Sequence, residues 1–222
     1  MIKAVIFDAY GTLISTGNGS VSAAGEILAL NERYDIDPKE FYARWKAFHK
    51  MHMDSLESFV KEDKIFEIDL RELYEIYNIS GDYKKDVHIM LDTLGKRTAF
   101  PEAREVLEQL SLKCIIAIGS TTDTAPLLSD IKRNNLKIEK VFTSESLCVY
   151  KPRKEFYDKI LEELKVSANE ALFVGDSLID DVAGPQKAGL HTCWINRKGG
   201  TEGDICPDYE IKDLRELFDI IK

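Results

Sequence analysis

A chain of 222 residues, 44% hydrophobic and 31% charged, has enough apolar material for one well-buried α/β core plus a smaller module, or for one large domain; disordered chains are far less apolar. The formal net charge of -9 argues against nucleic acid or an anionic membrane as the main partner, since both select a positive footprint. A small molecule becomes the default substrate, and an anionic one needs a local cation, either a metal or a placed Lys or Arg.

The first predicted element is a buried strand over Lys3 to Phe7, which ends in the polar run Asp8-Ala-Tyr-Gly-Thr12. No signal-peptide arrangement precedes it and no apolar stretch is long enough to span a bilayer, so a cytoplasmic protein is expected. From about Ser20 to Arg97 no strand is predicted. Phe41, Trp45, Phe48 and His52 recur at helical spacing, as do Leu70, Leu73, Tyr74 and Tyr77, and then Val87, Met90, Leu91 and Leu94. These stripes read as the core of a helical insertion, residues 18–97, with hinges near Ser15 to Asn18 and Thr98 to Pro101.

Beyond the insertion, helical patterns alternate with short apolar runs. Pro101 to Leu110 precedes a strand at Cys114 to Ile118, Lys154 to Leu164 precedes one at Ala171 to Val174, and Asp180 to Ala188 precedes one at His191 to Ile195. That alternation predicts a Rossmann-like parallel sheet with helices on both faces, built from residues 1–17 and 98–222. Cys114, Cys148, Cys193 and Cys206 lack the short paired spacing of zinc sites or redox dithiols, so a reducing compartment is the simpler reading.

Four strand ends carry polar groups, and open α/β sheets bind ligands beyond the carboxyl ends of their strands. Asp8 stands at the first; Gly11 permits a sharp turn there, and the Thr12 hydroxyl is in reach to orient the carboxylate. An Asp after a strand also serves as a plain turn or cap residue. At the second, Ser120 and Thr121 lead into a helix from Asp123 to Ile131, an arrangement that caps a helix or seats an anion. Lys151-Pro152 is expected to open the next helix, with the lysine available to neutralise carboxylates. The fourth, Gly175-Asp176-Ser-Leu-Ile-Asp180-Asp181, brings Asp176 and Asp181 towards one site, with Asp180 secondary at most. Crowded carboxylates repel unless a cation neutralises them, and an all-oxygen set suits Mg²⁺.

Taken in order, Asp8-Ala-Tyr-Gly-Thr12, Ser120-Thr121, Lys151-Pro152 and Gly175-Asp176 through Asp181 resemble the four motifs of the haloacid dehalogenase superfamily, whose members carry one kind of cap between the first two. The resemblance implies that Asp8 attacks the substrate to form an aspartyl intermediate, while Ser120 and Lys151 bind the anionic group and Lys151 also steadies Asp8. It also implies Mg²⁺ held by Asp8, the Tyr10 carbonyl and Asp176, with Asp181 assisting.

Two features of the motifs pull apart. Phosphatases of the superfamily place a second Asp, the general acid, where this chain has Tyr10, and Tyr10 with Tyr157 resembles the dehalogenase branch. Asp176 and Asp181 resemble the phosphatase branch. Arg44 and Lys46 are cap candidates for binding an anion or departing halide. The expected function is hydrolysis of a small phosphate ester with Mg²⁺, the alternatives being 2-haloacid dehalogenation or a catalytically weakened binding member. The sequence carries no signal of oligomeric state.

Overall fold

The computed structural model describes residues 1–201 and 203–222 and divides them into two compact units, residues 1–15 with 98–222, and residues 16–97. The boundary within the first motif region lies two residues before the expected one. None of the described helices is long and apolar enough to cross a membrane.

The helical unit contains α1 (Gly19–Leu30), α2 (Pro38–Ser55), α3 (Glu62–Tyr77) and α4 (Tyr83–Leu91). Asp37 caps α2 by accepting from the backbone N–H of Lys39 (2.8 Å) and Glu40 (3.1 Å), and Pro38 follows where a missing N–H costs nothing. Most of the helical stripes meet: Phe41 and Trp45 of α2, Leu70 and Leu73 of α3, and Val87 and Met90 of α4 form one core, joined by Ala24 and Ile27 of α1, which no stripe anticipated, while His52 pairs instead with the buried Asp69 (2.6 Å). Leu94 falls beyond the end of α4.

The other unit is a six-stranded, all-parallel sheet flanked by helices. In chain order its elements are β1 (Ala4–Phe7), α5 (Ala103–Leu110), β2 (Ile115–Ser120), α6 (Thr124–Arg133), β3 (Lys140–Thr143), α7 (Ser144–Leu147), α8 (Lys154–Leu164), β4 (Ala171–Gly175), a π-helical turn (Leu178–Ala183), α9 (Gly184–Lys187), β5 (His191–Ile195), β6 (Tyr209–Ile211) and α10 (Leu217–Ile220). The sheet order is β3-β2-β1-β4-β5-β6, so the topology reverses at the central β1. Phe7 is in register with Ile118 of β2 and Val174 of β4, which brings the ends of these strands to one edge.

Each central strand is apolar on both faces because both are covered. Val5, Phe7, Ile118 and Val174 pack with Val106, Leu110 and Leu127 on one side; Ala4, Ile6 and Phe173 pack with Phe156, Ile160 and Leu164 on the other. A fully buried side chain such as Phe7 contributes roughly 1.5–3 kcal/mol by its transfer from water.

Three expectations need correction. Pro152 does not open a helix: it lies in a turn, and α8 begins at Lys154 after Arg153. The segment after Asp176 is a π-helical turn capped by the Ser177 hydroxyl on Asp180 N–H before a short α9, because the crowded carboxylate of Asp181 must be turned inward there. Strands β3 and β6 went unanticipated; at four and three residues, and partly exposed, they carry too little apolar pattern.

Candidate active site

Asp8 follows β1 directly, its backbone N–H on Val174 O (2.8 Å), so it stands at the topological reversal with its carboxyl buried. The Lys151 ammonium, also buried, donates to Asp8 Oδ1 (2.8 Å) and Asp181 Oδ1 (2.7 Å) and lies 5.3 Å from the centre of the Phe173 ring. Asp8, Asp176 and Asp181 each present an oxygen within 4.8 Å of the others. The structure therefore brings four of the expected site residues into one cluster, with Asp176 at its exposed rim.

Two glycines make the convergence possible. Gly11 has φ +99°, and a Cβ there would stand 2.3 Å from Asp176 Oδ2. At Gly175 a Cβ would stand 2.2 Å from Asp181 Cγ. Gly175→Ala is therefore expected to push Asp181 off Lys151 while the sheet survives. A displacement of about 1 Å can cost ~10²-fold in rate, so kcat should fall by about that factor with little change in Tm; an unchanged kcat would remove Asp181 from the account.

The electrostatics follow from crowding. Burial raises the Asp8 pKa, Lys151 opposes the rise, and Asp176 adds to it. Burial likewise lifts Asp181 to about 7 against the pull of Lys151. Asp176 rises to about 6 through the surrounding protein and then the charge of Asp181. Burial alone would lower the Lys151 pKa, but Asp181 and Asp8 hold it well above the ordinary lysine value. Three carboxylates against one ammonium leave two excess negative charges when all are ionised, so the cluster favours a proton or a cation near neutrality. Its donors are all oxygens, which fits Mg²⁺.

Other expected residues sit differently. The Thr12 hydroxyl is buried without a hydrogen-bond partner among the described residues and does not orient Asp8: the loop closes through Leu13 and Ile14 N–H on Ala9 O, and Lys151 does the orienting. Tyr10 does not project a proton donor into the cluster. Its ring packs against the core beside α6, and its hydroxyl donates to the fully buried carboxylate of Asp130 (2.9 Å). Ser120 is buried at the end of β2, and the neighbouring Thr121 hydroxyl is buried without a hydrogen-bond partner among the described residues. The Tyr157 hydroxyl donates to the carbonyl of Asp180, bracing the π-helical turn. Arg44 and Lys46 part company, since a two-residue step turns about 200° around a helix. Arg44 lies over the rings of Phe48 and Tyr77, whereas Lys46 lines a cavity of the helical unit.

Several supporting residues escaped the sequence reading. Trp194 Nε1 donates to the Asp176 carbonyl (3.0 Å), and Ser177 N–H donates to Asp181 Oδ2 (2.9 Å). Arg197 stacks on Phe100, donates to the Thr12 carbonyl (2.9 Å) and pairs with buried Glu102 (2.7 Å). The end of β5 was the available signal for Trp194 and Arg197; Asp130 had none, being one polar residue inside an amphipathic helix.

The model of the haloacid dehalogenase-like hydrolase family matches residues 2–189. The sequence is 26% identical to (S)-2-haloacid dehalogenase 4A of Burkholderia cepacia, over 99% of this chain and 95% of that protein. It is also 26% identical to the glyceraldehyde 3-phosphate phosphatase of Methanopyrus kandleri, over 100% of this chain and 98% of that protein. The Bacillus subtilis protein YfnB is 41% identical over a stretch of 83 residues, 35% of its length. The magnesium-bound structure of YfnB superposes with a TM-score of 0.85 at 22% identity, covering 99% of this chain and 98% of that one.

Proposed function

This chain belongs to the haloacid dehalogenase-like hydrolases, and we propose that within the family it hydrolyses small phosphate esters with Mg²⁺, using Asp8 as the nucleophile. The observation that carries the reading is the convergence of Asp8, Asp176 and Asp181 around one ammonium. A haloacid carboxylate entering that cluster without a cation meets like charge, a penalty on the order of a few kcal/mol in a low-dielectric cleft.

Lys151 fixes the rotation of the Asp8 carboxylate, from which an oxygen attacks phosphorus as the ester oxygen leaves with its electron pair. Water then attacks the phosphorus of the acyl phosphate, releasing phosphate and restoring Asp8. Asp8, Asp176 and the Tyr10 carbonyl, with Asp181 assisting, would hold Mg²⁺, which when bound would neutralise charge on the phosphoryl oxygens. Ser120 and the Thr121 hydroxyl, which lacks a hydrogen-bond partner among the described residues, are suited to receive those oxygens.

The tethering of Tyr10 to Asp130 favours a second reading, 2-haloacid dehalogenation, because a halide leaves without a proton. Parallel assays of an aryl phosphate, an alkyl phosphate and 2-chloropropionate, each with Mg²⁺ or chelator, separate the two. Turnover of the haloacid alone, in chelator, would overturn the phosphatase reading.

The same tether sets an expected leaving-group dependence. A positioned general acid is worth about 10²–10⁴-fold, most of it on basic leaving groups. The wild-type enzyme should therefore favour aryl over alkyl phosphates in kcat/KM by about 10²-fold or more. Tyr10→Asp alone removes the hydroxyl donated to Asp130 and sets a second carboxylate in its neighbourhood, so the gain on alkyl esters should be clearest in Tyr10→Asp with Asp130→Asn. Equal turnover of both ester types by wild type would mean that another residue donates the proton.

A further inference from the structure

The loop that follows Asp8 satisfies its carbonyls in two ways. Ala9 O accepts from the N–H of Leu13 (3.0 Å) and Ile14 (2.8 Å), Ile14 O from Gly11 N–H (2.8 Å), and Leu13 O from Phe100 N–H (2.9 Å), all of them backbone bonds. Thr12, fully buried, instead gives its carbonyl to a side chain from far along the sequence, the Nη2 of Arg197 (2.9 Å). A buried carbonyl requires a donor, which any N–H supplies. An arginine supplies direction as well.

Two contacts set that direction. The guanidinium carbon stands 3.7 Å from the centre of the Phe100 ring, which fixes the plane of the group. The same Nη2 that meets Thr12 pairs with Oε1 of Glu102 (2.7 Å), a buried carboxylate at the start of α5. Nη2 carries two hydrogens, so with one turned to Glu102 the other points to the Thr12 carbonyl. A pair made for stability alone needs none of this: a lysine meets a carboxylate as a point charge, with no plane to stack and no fork to aim. The backbone that carries Arg197 is itself held, since the N–H of neighbouring Asn196 bonds to Ile211 O (2.7 Å) in β6. Three residues earlier, Trp194 Nε1 donates to the Asp176 carbonyl. One strand end therefore grips the loop of Asp8 with one side chain and Asp176 with another.

We propose that Arg197 is a positioning residue for the reaction at Asp8, holding the loop of residues 8–14 in register with Asp176 through the Thr12 carbonyl, with Glu102 and Phe100 setting its direction. The proposal rests on Asp8 as the nucleophile and applies to either leaving group, so it is read on whichever substrate of the parallel assays turns over.

The deciding variant is Arg197→Lys, which keeps a charge beside Glu102 and gives up the fork. Its Tm should stay close to wild type, whereas kcat falls by about 10-fold or more and KM changes by less than about 3-fold. In Arg197→Ala the loss in kcat should reach about 10²-fold, the scale of a placement error of about 1 Å. Free guanidinium at millimolar concentration, which fits the vacated slot on Phe100, should restore part of that loss saturably, and ammonium should not. Hydrogen exchange of the Gly11, Leu13 and Ile14 amides reads the loop without any substrate; it should quicken in both variants, while the amides of Ile6 and Phe7 in β1 stay protected. Faster exchange with unchanged kcat would overturn the proposal, because the loop would then be held for no catalytic purpose. So would full kcat in Arg197→Lys, or unchanged exchange in Arg197→Ala. Asp8→Asn judges the nucleophile separately: turnover kept in that variant removes the reading of Asp8 and this proposal with it, whereas failure in the Arg197 variants alone leaves Asp8 standing.

Discussion

Asp8→Asn is expected to reduce kcat to below about one thousandth of wild type while leaving the protein folded. The amide keeps the shape of the carboxylate but lacks the nucleophilic oxygen anion, and no other carboxylate at the site occupies the end of β1. Stability should hold or rise, because burial and Asp176 both disfavour the ionised form of Asp8 and the amide removes that charge. The checks are kcat on an aryl phosphate and Tm, measured on the same preparation. A variant that keeps a tenth of wild-type activity would show that Asp8 is not the nucleophile.

The second large effect is expected from Lys151→Met. Lys151 is buried and holds Asp8 and Asp181 at once, so its loss strands two buried carboxyls. Removing one partner from a buried ion pair typically costs about 3–5 kcal/mol, and turnover should fall as well because nothing then fixes the rotation of Asp8. The pH dependence gives the sign. Burial lifts the folded pKa of Asp181 to about 7, above the 3.8 of a free aspartate, so its contribution to stability is fully present below 3.8 and is lost as pH rises through 7. Without Lys151 that folded pKa moves higher still. The deficit of Lys151→Met should therefore be large at pH 8 and shrink towards pH 5 in urea unfolding without added metal. A deficit independent of pH would point to lost packing of the lysine stem instead.

How much of the site was legible in the sequence depended on how each residue acts. Asp8, Ser120, Asp176 and Asp181 lie at or just past strand ends marked by apolar runs, so position and residue type sufficed to nominate them, whereas Lys151 was nominated by its place in the motif order. Trp194 and Arg197 act on backbone carbonyls of Asp176 and Thr12, contacts between segments 18 and 185 residues apart that leave no local pattern. Tyr10 shows the limit most clearly. Its place two residues after Asp8 was visible, but the direction of its hydroxyl follows a buried Asp130 120 residues away. The central strands were legible because burial on both faces demands unbroken apolar runs; β3 and β6, partly exposed and short, are free of that demand.

The central claim is that the carboxylate cluster works with Mg²⁺ on phosphate esters, and the most direct measurement is the rate of aryl phosphate hydrolysis as Mg²⁺ is titrated into chelator-stripped enzyme, for wild type and Asp176→Asn. The account predicts negligible wild-type turnover without Mg²⁺, saturable activation with it, and a strongly weakened Mg²⁺ response in Asp176→Asn. Full wild-type activity in chelator, or a Mg²⁺ response unchanged by Asp176→Asn, would contradict it.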